Sequence, residues 1–262
     1  MPDGSIRLFR IRGIQLSVHL TFLLLLGYVA WEGWREFGAV GAWINLGVVC
    51  LFFTCVVLHE LGHAFTARAF GVRVPRILLL PIGGMAEFSS LPRRPLAEIL
   101  IAIAGPAVNA VIVAALLLVV PLPSREQLAT LDLSLWQLLL VMNAVMGAFN
   151  LLPAFPMDGG RVLRALLSVR MHYVDATRWA ANVGKVLAAV GVGVMAFVFH
   201  HLMGALLFLF IIVVGELEWR AIRRQDAEER RWRAHLERVQ APPSGNATDA
   251  KTPPETEPQT AG

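Results

Sequence analysis

Long apolar runs limit what this chain can fold into more than any other feature of its sequence. Of the 262 residues, 56% are hydrophobic and only 16% are charged. A soluble globular chain carries about 25% charged residues. About 20 consecutive apolar residues cross the hydrocarbon core of a bilayer, and this sequence contains several runs of that kind. We therefore expect an all-α polytopic membrane protein.

Six apolar segments are predicted to be membrane helices, and with their connections they would form one membrane domain over residues 1–219. They are residues 14–31, 42–67, 97–120, 133–152, 178–199 and 202–219. A short strand is expected near residues 6–8, where apolar and basic residues alternate. After the last membrane helix, residues 220–240 are predicted to form a charged cytoplasmic helix. Residues 241–262, rich in Pro, Thr and Gly, are typical of a disordered tail.

The distribution of basic residues predicts the side of the membrane on which each connection lies. Twenty of the 23 Lys and Arg fall in four segments: the N-terminus, the connection after the second helix, residues 161–178 and the tail. With six spans, all four segments share one side, and basic connections are typical of the cytoplasmic side. We expect a multi-pass protein of the cell membrane with both termini in the cytoplasm. Basic residues so placed indicate topology and no nucleic-acid partner.

The second predicted helix contains the motif His-Glu-x-x-His, formed by His59, Glu60 and His63. Residues four apart lie on one face of a helix, so both imidazoles can bind one Zn²⁺ ion. Glu60, next to the first of these histidines, can then reach a water on that metal. Two buried histidines that only pack against neighbouring helices are the simpler alternative. Ionisable groups in a membrane helix are costly, however, which favours the functional interpretation.

Two more polar side chains follow proline-containing segments. Asp158 comes after two prolines at the end of the fourth predicted helix. A catalytic zinc usually has three protein ligands, so Asp158 is a candidate for the third. It can equally cap a helix that begins directly after it. Asn109 follows Pro106 by one helical turn, and it either satisfies a carbonyl freed by that proline or faces the metal.

The connection after the second helix has the pattern of a β-hairpin. In residues 72–91, two largely apolar stretches flank a turn that contains Pro81, Gly83 and Gly84. Because this hairpin directly follows the metal-binding helix, one interpretation is a re-entrant hairpin with both glycines near the site. An ordinary surface hairpin is the other.

Together these motifs resemble the site-2 protease family of intramembrane zinc metalloproteases. The resemblance covers about residues 5–220, and its motifs are the following: His59-Glu60-x-x-His63, Gly105-Pro106-x-x-Asn109, and Asn150-x-x-Pro153 leading to Asp158-Gly159. The turn at residues 81–87 is similar to the re-entrant hairpin of that family. The chain looks like the minimal six-helix form, without an inserted peptide-binding domain or a C-terminal nucleotide-sensing domain.

The resemblance implies the roles of the site residues. His59, His63 and Asp158 would bind one Zn²⁺ per chain, and Glu60 would be the catalytic base. Asn150 and Asn109 would line the site and position water or substrate.

The resemblance also implies an activity, the hydrolysis of peptide bonds within or near transmembrane segments, as in regulated intramembrane proteolysis. The expected partner is a single-span membrane protein in the lipid bilayer, such as an anti-sigma or pro-sigma factor. Two alternatives use the same histidines: a catalytically inactive membrane scaffold and a metal transporter. A base such as Glu60 has no purpose in a scaffold, and a transporter would move metal across vesicle membranes.

Overall fold

The computed structural model describes residues 4–89, 94–130 and 132–240, so the predicted tail at residues 241–262 lies outside the described residues. The strands are β1 (Ser5–Ile11), β2 (Ile14–His19), β3 (Arg76–Leu80) and β4 (Gly83–Glu87). The helices are α1 (Leu20–Ala69), α2 (Pro95–Leu117), α3 (Arg125–Thr130), α4 (Leu135–Asn150), α5 (Asp158–Ser168), α6 (Tyr173–Gly193) and α7 (Leu202–Gln240). A π-helical turn, Val194–Val198, follows α6.

Helix α1 consists of two arms that fold back on each other at Phe37 and Gly38, whose backbone angles are not helical. Gly38 has a φ of +63°, which glycine adopts without a steric penalty. The rings of Phe22 and Phe53 lie 4.5 Å apart, whereas the residues between them would span about 46 Å in a straight helix. We call residues 20–36 the first arm and residues 39–69 the second arm.

The prediction that the first membrane helix begins at residue 14 is wrong, because residues 14–19 form β2 and the helix begins at Leu20. Ile14, Leu16 and Val18 lie on one face of the strand and are at most 6% exposed. This apolar period of two is the pattern of a strand. The side chain of His19 then caps α1 by accepting a hydrogen bond from the N–H of Thr21. The N-terminal strand β1 is also longer than the predicted residues 6–8.

The four strands form one sheet in the order β1-β2-β3-β4. β2 pairs antiparallel with β1 and parallel with β3, so α1 forms the crossover between β2 and β3. The hairpin predicted at residues 72–91 is formed by β3 and β4, which pair from Arg76 with Glu87 to Leu80 with Gly83. β4 is the edge strand, and its outer edge faces the second arm of α1.

Within the described residues, four helices are long and apolar enough to cross a membrane: Leu20–Ala69, Pro95–Leu117, Tyr173–Val198 and Leu202–Leu236. A fifth apolar helix, α4, is shorter, with 16 residues. The chain is therefore a mostly helical, multi-pass membrane protein with a small sheet near its N-terminus.

The last two long helices differ in extent from the predicted segments. α6 begins at Tyr173, and α7 continues without a break through Trp219 to Gln240, so the membrane segment and the charged segment are one helix. The ion pair between Glu216 and Arg220 spans the boundary predicted after residue 219, and the pair between Asp226 and Arg230 lies beyond it. In both pairs the residues are four positions apart. Such pairs stabilise a helix on its exposed surface.

A buried ion pair fixes α5 against the helices around it. Arg164 on α5 donates from Nε to Glu98 Oε1 on α2 at 2.7 Å, and it also reaches Glu218 on α7 at 3.3 Å. The side chains of Arg164 and Glu98 are each 1% exposed. Burial lowers the pKa of Arg164, but the charge of Glu98 raises it above its usual value, so the guanidinium stays charged. The pair holds the N-terminal end of α5, which carries Asp158, at a defined position.

Candidate metal centre

The second arm of α1 supplies two histidines one helical turn apart. His59 and His63 are 4% and 3% exposed, respectively. Their rings are nearly perpendicular, and their Nε2 atoms lie 3.1 Å apart. The spacing of four residues thus brings both rings to one point inside the protein.

The third side chain comes from the first residue of α5. Oδ2 of Asp158 lies 3.4 Å from Nε2 of His59 and 3.1 Å from Nε2 of His63. The capping position of α5 is occupied by Met157, so capping is not the role of the Asp158 side chain. The glycine after Asp158 allows a close approach, because a Cβ on Gly159 would lie 2.3 Å from the carbonyl oxygen of Leu151.

The other nitrogen of each ring is held by a hydrogen-bond acceptor. Nδ1 of His59 donates to Oδ1 of Asn109 on α2 at 2.5 Å, and Nδ1 of His63 donates to the carbonyl of Ile101 at 2.7 Å. Metal-binding histidines are usually oriented in this way, with the second nitrogen hydrogen-bonded to protein. Both Nε2 atoms therefore carry lone pairs that face Asp158.

The three facing atoms fit a small cation. Two Nε2 atoms and a carboxylate oxygen converge at 3.1 to 3.4 Å. When both imidazoles are neutral and protonated on Nδ1, the lone pairs of these three atoms face one another, and a cation between them relieves their repulsion. A tetrahedral Zn²⁺ with bonds of about 2.0–2.1 Å holds its ligand atoms about 3.4 Å apart. Two imidazoles and a carboxylate are also ligand types that catalytic zinc uses.

Asn143 on α4 extends this network and was not found from the sequence. It is fully buried, and its Oδ1 accepts a hydrogen bond from Nδ2 of Asn109 at 3.0 Å. Its own Nδ2 donates to the carbonyl of Leu139. An amide in the middle of a largely apolar helix was the available signal, since polar groups inside a membrane protein need partners.

Gly105 on α2 lies directly against the two imidazoles. A Cβ at this position would lie 2.2 Å from Nε2 of His63 and 2.7 Å from Nε2 of His59. No side chain can occupy that space while the rings keep their positions. Gly105 therefore belongs to the candidate site, because it leaves room for the two imidazoles.

The β-hairpin contacts Glu60. The N–H of Ala86 on β4 donates to Oε2 of Glu60 at 3.2 Å. A Cβ on Gly84 would lie 2.6 Å from Cγ of Glu60, so the strand passes directly over this side chain. Of the two glycines named from the sequence, Gly84 lies against Glu60, whereas the Cβ position of Gly83 has no neighbour within 4 Å among the described residues.

Asn150, at the end of α4, bonds within its own helix. Its Nδ2 donates to the carbonyl of Met146 at 3.0 Å. Among the contacts of the described residues, none joins Asn150 to His59, His63 or Asp158. A role in positioning water or substrate therefore stays a prediction.

Fold and site together define a class of protein: a multi-pass membrane protein with an internal centre of two histidines and one aspartate, and with a glutamate beside it. The sequence profile of peptidase family M50 matches residues 47–127 and 124–194. The chain belongs to peptidase family M50.

Individual relatives agree with this assignment. The chain is 43% identical over 189 residues to a zinc metalloprotease of Methanocaldococcus jannaschii, MJ0392, covering 71% of this chain and 52% of the relative. It is 33% identical over 132 residues to stage IV sporulation protein FB of Bacillus subtilis, covering 50% of this chain and 43% of the relative. The chain thus spans about half the length of the curated relatives it matches.

A solved structure of the site-2 protease from Methanocaldococcus jannaschii shares the fold. The TM-score is 0.56 at 37% sequence identity, and the match covers 82% of this chain and 95% of the solved chain. The resemblance inferred from the motifs is confirmed by this match and by the family profile.

Proposed function

We propose that this chain is a zinc-dependent intramembrane endopeptidase, which hydrolyses peptide bonds within or near the transmembrane segments of membrane-anchored proteins. The observation that carries the proposal is the convergence of His59, His63 and Asp158 at 3.1 to 3.4 Å beside the carboxylate of Glu60. Membership of peptidase family M50 supports the same reaction. The names of its relatives, zinc metalloprotease and site-2 protease, agree with it.

Each residue of the site has a role in this reaction. His59, His63 and Asp158 would hold the zinc, which supplies Lewis acidity toward the scissile carbonyl and toward water at neutral pH. Glu60 accepts a proton from the attacking water and delivers it to the leaving amine. Asn109 keeps His59 in its metal-binding tautomer through the hydrogen bond to Nδ1. Asn150 is assigned to the positioning of water or substrate.

The membrane topology belongs to the same proposal. Six spans result if the two arms of α1 cross separately and α2, α4, α6 and α7 each cross once, with both termini in the cytoplasm of a prokaryotic cell. The antiparallel arms of α1 and the positions of the basic residues support this count. A periplasm-dependent reporter fused to either terminus should stay inactive, and activity at one terminus would refute the topology.

A membrane helix cannot be cleaved without local unwinding, because its carbonyls are hydrogen-bonded within the helix. Exposing one such group in hydrocarbon costs several kcal/mol. We propose that the outer edge of β4 compensates by pairing with the unwound segment, since the N–H of Ala86 points away from β3 and toward Glu60. The hairpin would then be re-entrant.

The cost of unwinding also predicts which substrates are cleaved. Substrates with Gly, Pro or Asn near the cut should be preferred, and replacing these residues with Leu should slow cleavage. An unchanged cleavage rate would contradict this prediction.

The partner that fits such a site is a single-span membrane protein within the bilayer, such as an anti-sigma or pro-sigma factor whose soluble part is released by cleavage. No nucleic-acid contact is needed for this activity. A trapped complex would identify the partner, because Glu60→Gln should bind the substrate without cutting it. Crosslinking of Glu60→Gln in its host should recover an uncut membrane protein.

The direct test of the proposed activity is cleavage of a single-span substrate in proteoliposomes. The wild type should cleave it, a zinc chelator should stop the reaction, and Glu60→Gln should lose at least about 100-fold in rate while keeping its zinc. Glu60→Gln that cleaves at the parental rate would exclude Glu60 as the base. Zinc transport into vesicles at the same rate in the wild type and in Glu60→Gln would favour a transporter. A wild type that binds zinc but cleaves no substrate would favour a scaffold.

A further inference from the structure

Arg161 is a largely buried arginine beside the candidate metal site. It lies on α5, one turn after Asp158, and its side chain is 15% exposed. Its Nε and Nη2 are buried and have no hydrogen-bond partner within the described part of the chain. Its nearest acidic group is Asp158, whose Oδ1 lies 3.8 Å from Nη1, which is beyond hydrogen-bond distance. Buried donors of a guanidinium without acceptors are costly, so they indicate a missing partner.

The position of Arg161 identifies where that partner would lie. The guanidinium flanks the Asp158 oxygen that does not face the histidines. On its other side, the carbon atom Cζ lies 5.6 Å from the centroid of the Phe88 ring. Phe88 directly follows β4, the strand whose Ala86 contacts Glu60. Arg161 therefore lies between the metal ligands and the end of the edge strand.

An arginine on the same helix, Arg164, shows by contrast what a structural role looks like. Arg164 is paired with Glu98 and Glu218, and its guanidinium also lies 5.1 Å from the ring of Phe155. Both arginines are largely buried on α5, yet of the two only Arg161 has buried nitrogens that find no acceptor within the described part of the chain. Its donors are thus available to a molecule that enters the site.

We propose that Arg161 is a substrate-binding residue, which donates hydrogen bonds to backbone carbonyl oxygens of the unwound substrate where the peptide leaves β4. This inference rests on the proposed function. A transmembrane segment offers few acidic side chains, and after unwinding its main acceptors are backbone carbonyls. A guanidinium has five N–H donors in a planar fork, so it can serve two such oxygens at once.

The test separates substrate binding from turnover. The probe is a labelled single-span peptide with a central Asn-Gly pair, and its affinity is measured in bilayer nanodiscs for zinc-loaded Glu60→Gln. Adding Arg161→Gln should weaken binding about tenfold or more, without loss of zinc or a change in Tm. Adding Arg161→Lys should restore part of the affinity, because lysine keeps the charge without the fork. The matched control adds Arg170→Gln, which changes an exposed arginine after the end of α5, to the same Glu60→Gln protein. This control should bind the peptide as tightly as Glu60→Gln alone.

Two results would overturn the inference. Unchanged peptide affinity in the Arg161→Gln variant would exclude contact with the substrate. Loss of zinc in that variant and in Arg161→Lys would show that Arg161 acts by holding Asp158 instead. Both leave the proposed function intact as long as Glu60→Gln binds the peptide and the wild type cleaves it. A peptide that neither binds Glu60→Gln nor is cleaved by the wild type would refute the proposed function together with this inference.

Discussion

Asn109 and Asn143 hold His59 by successive amide hydrogen bonds that cross three helices. Nδ1 of His59 donates to Asn109, Asn109 donates to Asn143, and Asn143 donates to the backbone of α4. Because Asn109 must turn its oxygen toward His59, its nitrogen needs an acceptor, which Asn143 provides. Asn143 thus orients the amide of Asn109 that bonds to His59, without touching His59 itself.

Replacing Asn143 with Leu should weaken zinc binding by about 10- to 100-fold, the usual effect of removing an outer hydrogen bond to a metal-binding histidine. Leucine has the same number of side-chain heavy atoms and the same branch at Cγ, so the helix packing should survive. Competition with a chromogenic chelator measures the zinc affinity. The exposed Asn182 on α6 provides the control, Asn182→Leu. Equal zinc affinity for Asn143→Leu and the wild type would show that His59 is oriented without Asn143.

Gly105 gives a steric prediction. The added methyl group of Gly105→Ala would lie 2.2 Å from Nε2 of His63, so at least one imidazole must move out of the metal position. We expect the variant to lose stoichiometric zinc, as measured by mass spectrometry of the metal, and to lose activity with it. Gly27→Ala on the first arm, where the methyl group meets no atom within 4 Å, should keep both. Full zinc content in Gly105→Ala would mean that α2 does not press against the ligands.

At the scale of elements, the pair of Glu98 and Arg164 ties α5 to α2. Arg164→Met would leave Glu98 buried with its charge unpaired, which typically costs about 3–5 kcal/mol. We expect a lower Tm and weaker zinc binding, because α5 carries Asp158. The double variant Glu98→Leu with Arg164→Met should recover most of the stability, since it leaves no lone charge.

Thermal unfolding in detergent measures these effects on stability. Arg230→Met, which breaks an exposed pair with Asp226, is the control and should change Tm little. A Tm for Arg164→Met equal to that of the wild type would exclude the pair as the anchor of α5.

The sequence predicted a mostly helical membrane protein and the β3-β4 hairpin. It predicted the boundaries of the elements less well, and the count of six spans stays a prediction. In residues 14–19, apolar and polar side chains alternate, and these residues form strand β2. Because a longer apolar run follows directly, they were assigned to the start of the first helix. The pairing with β3 is contributed by residues about 60 positions away, so local pattern cannot reveal it. The continuation of α7 past Trp219 depends on exposed i,i+4 ion pairs, which hydropathy does not record.

The candidate site was predictable to the extent that it is encoded locally. His59, Glu60 and His63 follow from one motif. Asp158 was inferred because a catalytic zinc usually has three protein ligands and because the chain resembles a known family. Asn143 and Arg161 belong to no local pattern, and their positions depend on how α4 and α5 pack. Gly105 appeared as part of a motif, but its steric role requires the approach of α2 to the second arm.

At the scale of the whole molecule, the fold brings three separate segments to one buried point. The second arm gives the histidines, α5 gives Asp158, and the edge strand β4 covers Glu60. These elements come from a membrane bundle and a small sheet, so the metal site, the base and the strand edge would meet only in the complete fold. The proposed hydrolysis of peptides inside the membrane requires that a metal ion binds at this site.

The most direct test is the zinc content of protein purified in detergent without chelator. We predict about one zinc per chain for the wild type and for Glu60→Gln, and a fraction of that for His59→Ala, His63→Ala and Asp158→Ala, each compared at equal folded content. X-ray absorption of the wild type should show two imidazoles and one carboxylate around the metal. A wild type without stoichiometric zinc, or an Asp158→Ala variant that binds zinc as tightly as the wild type, would contradict the account.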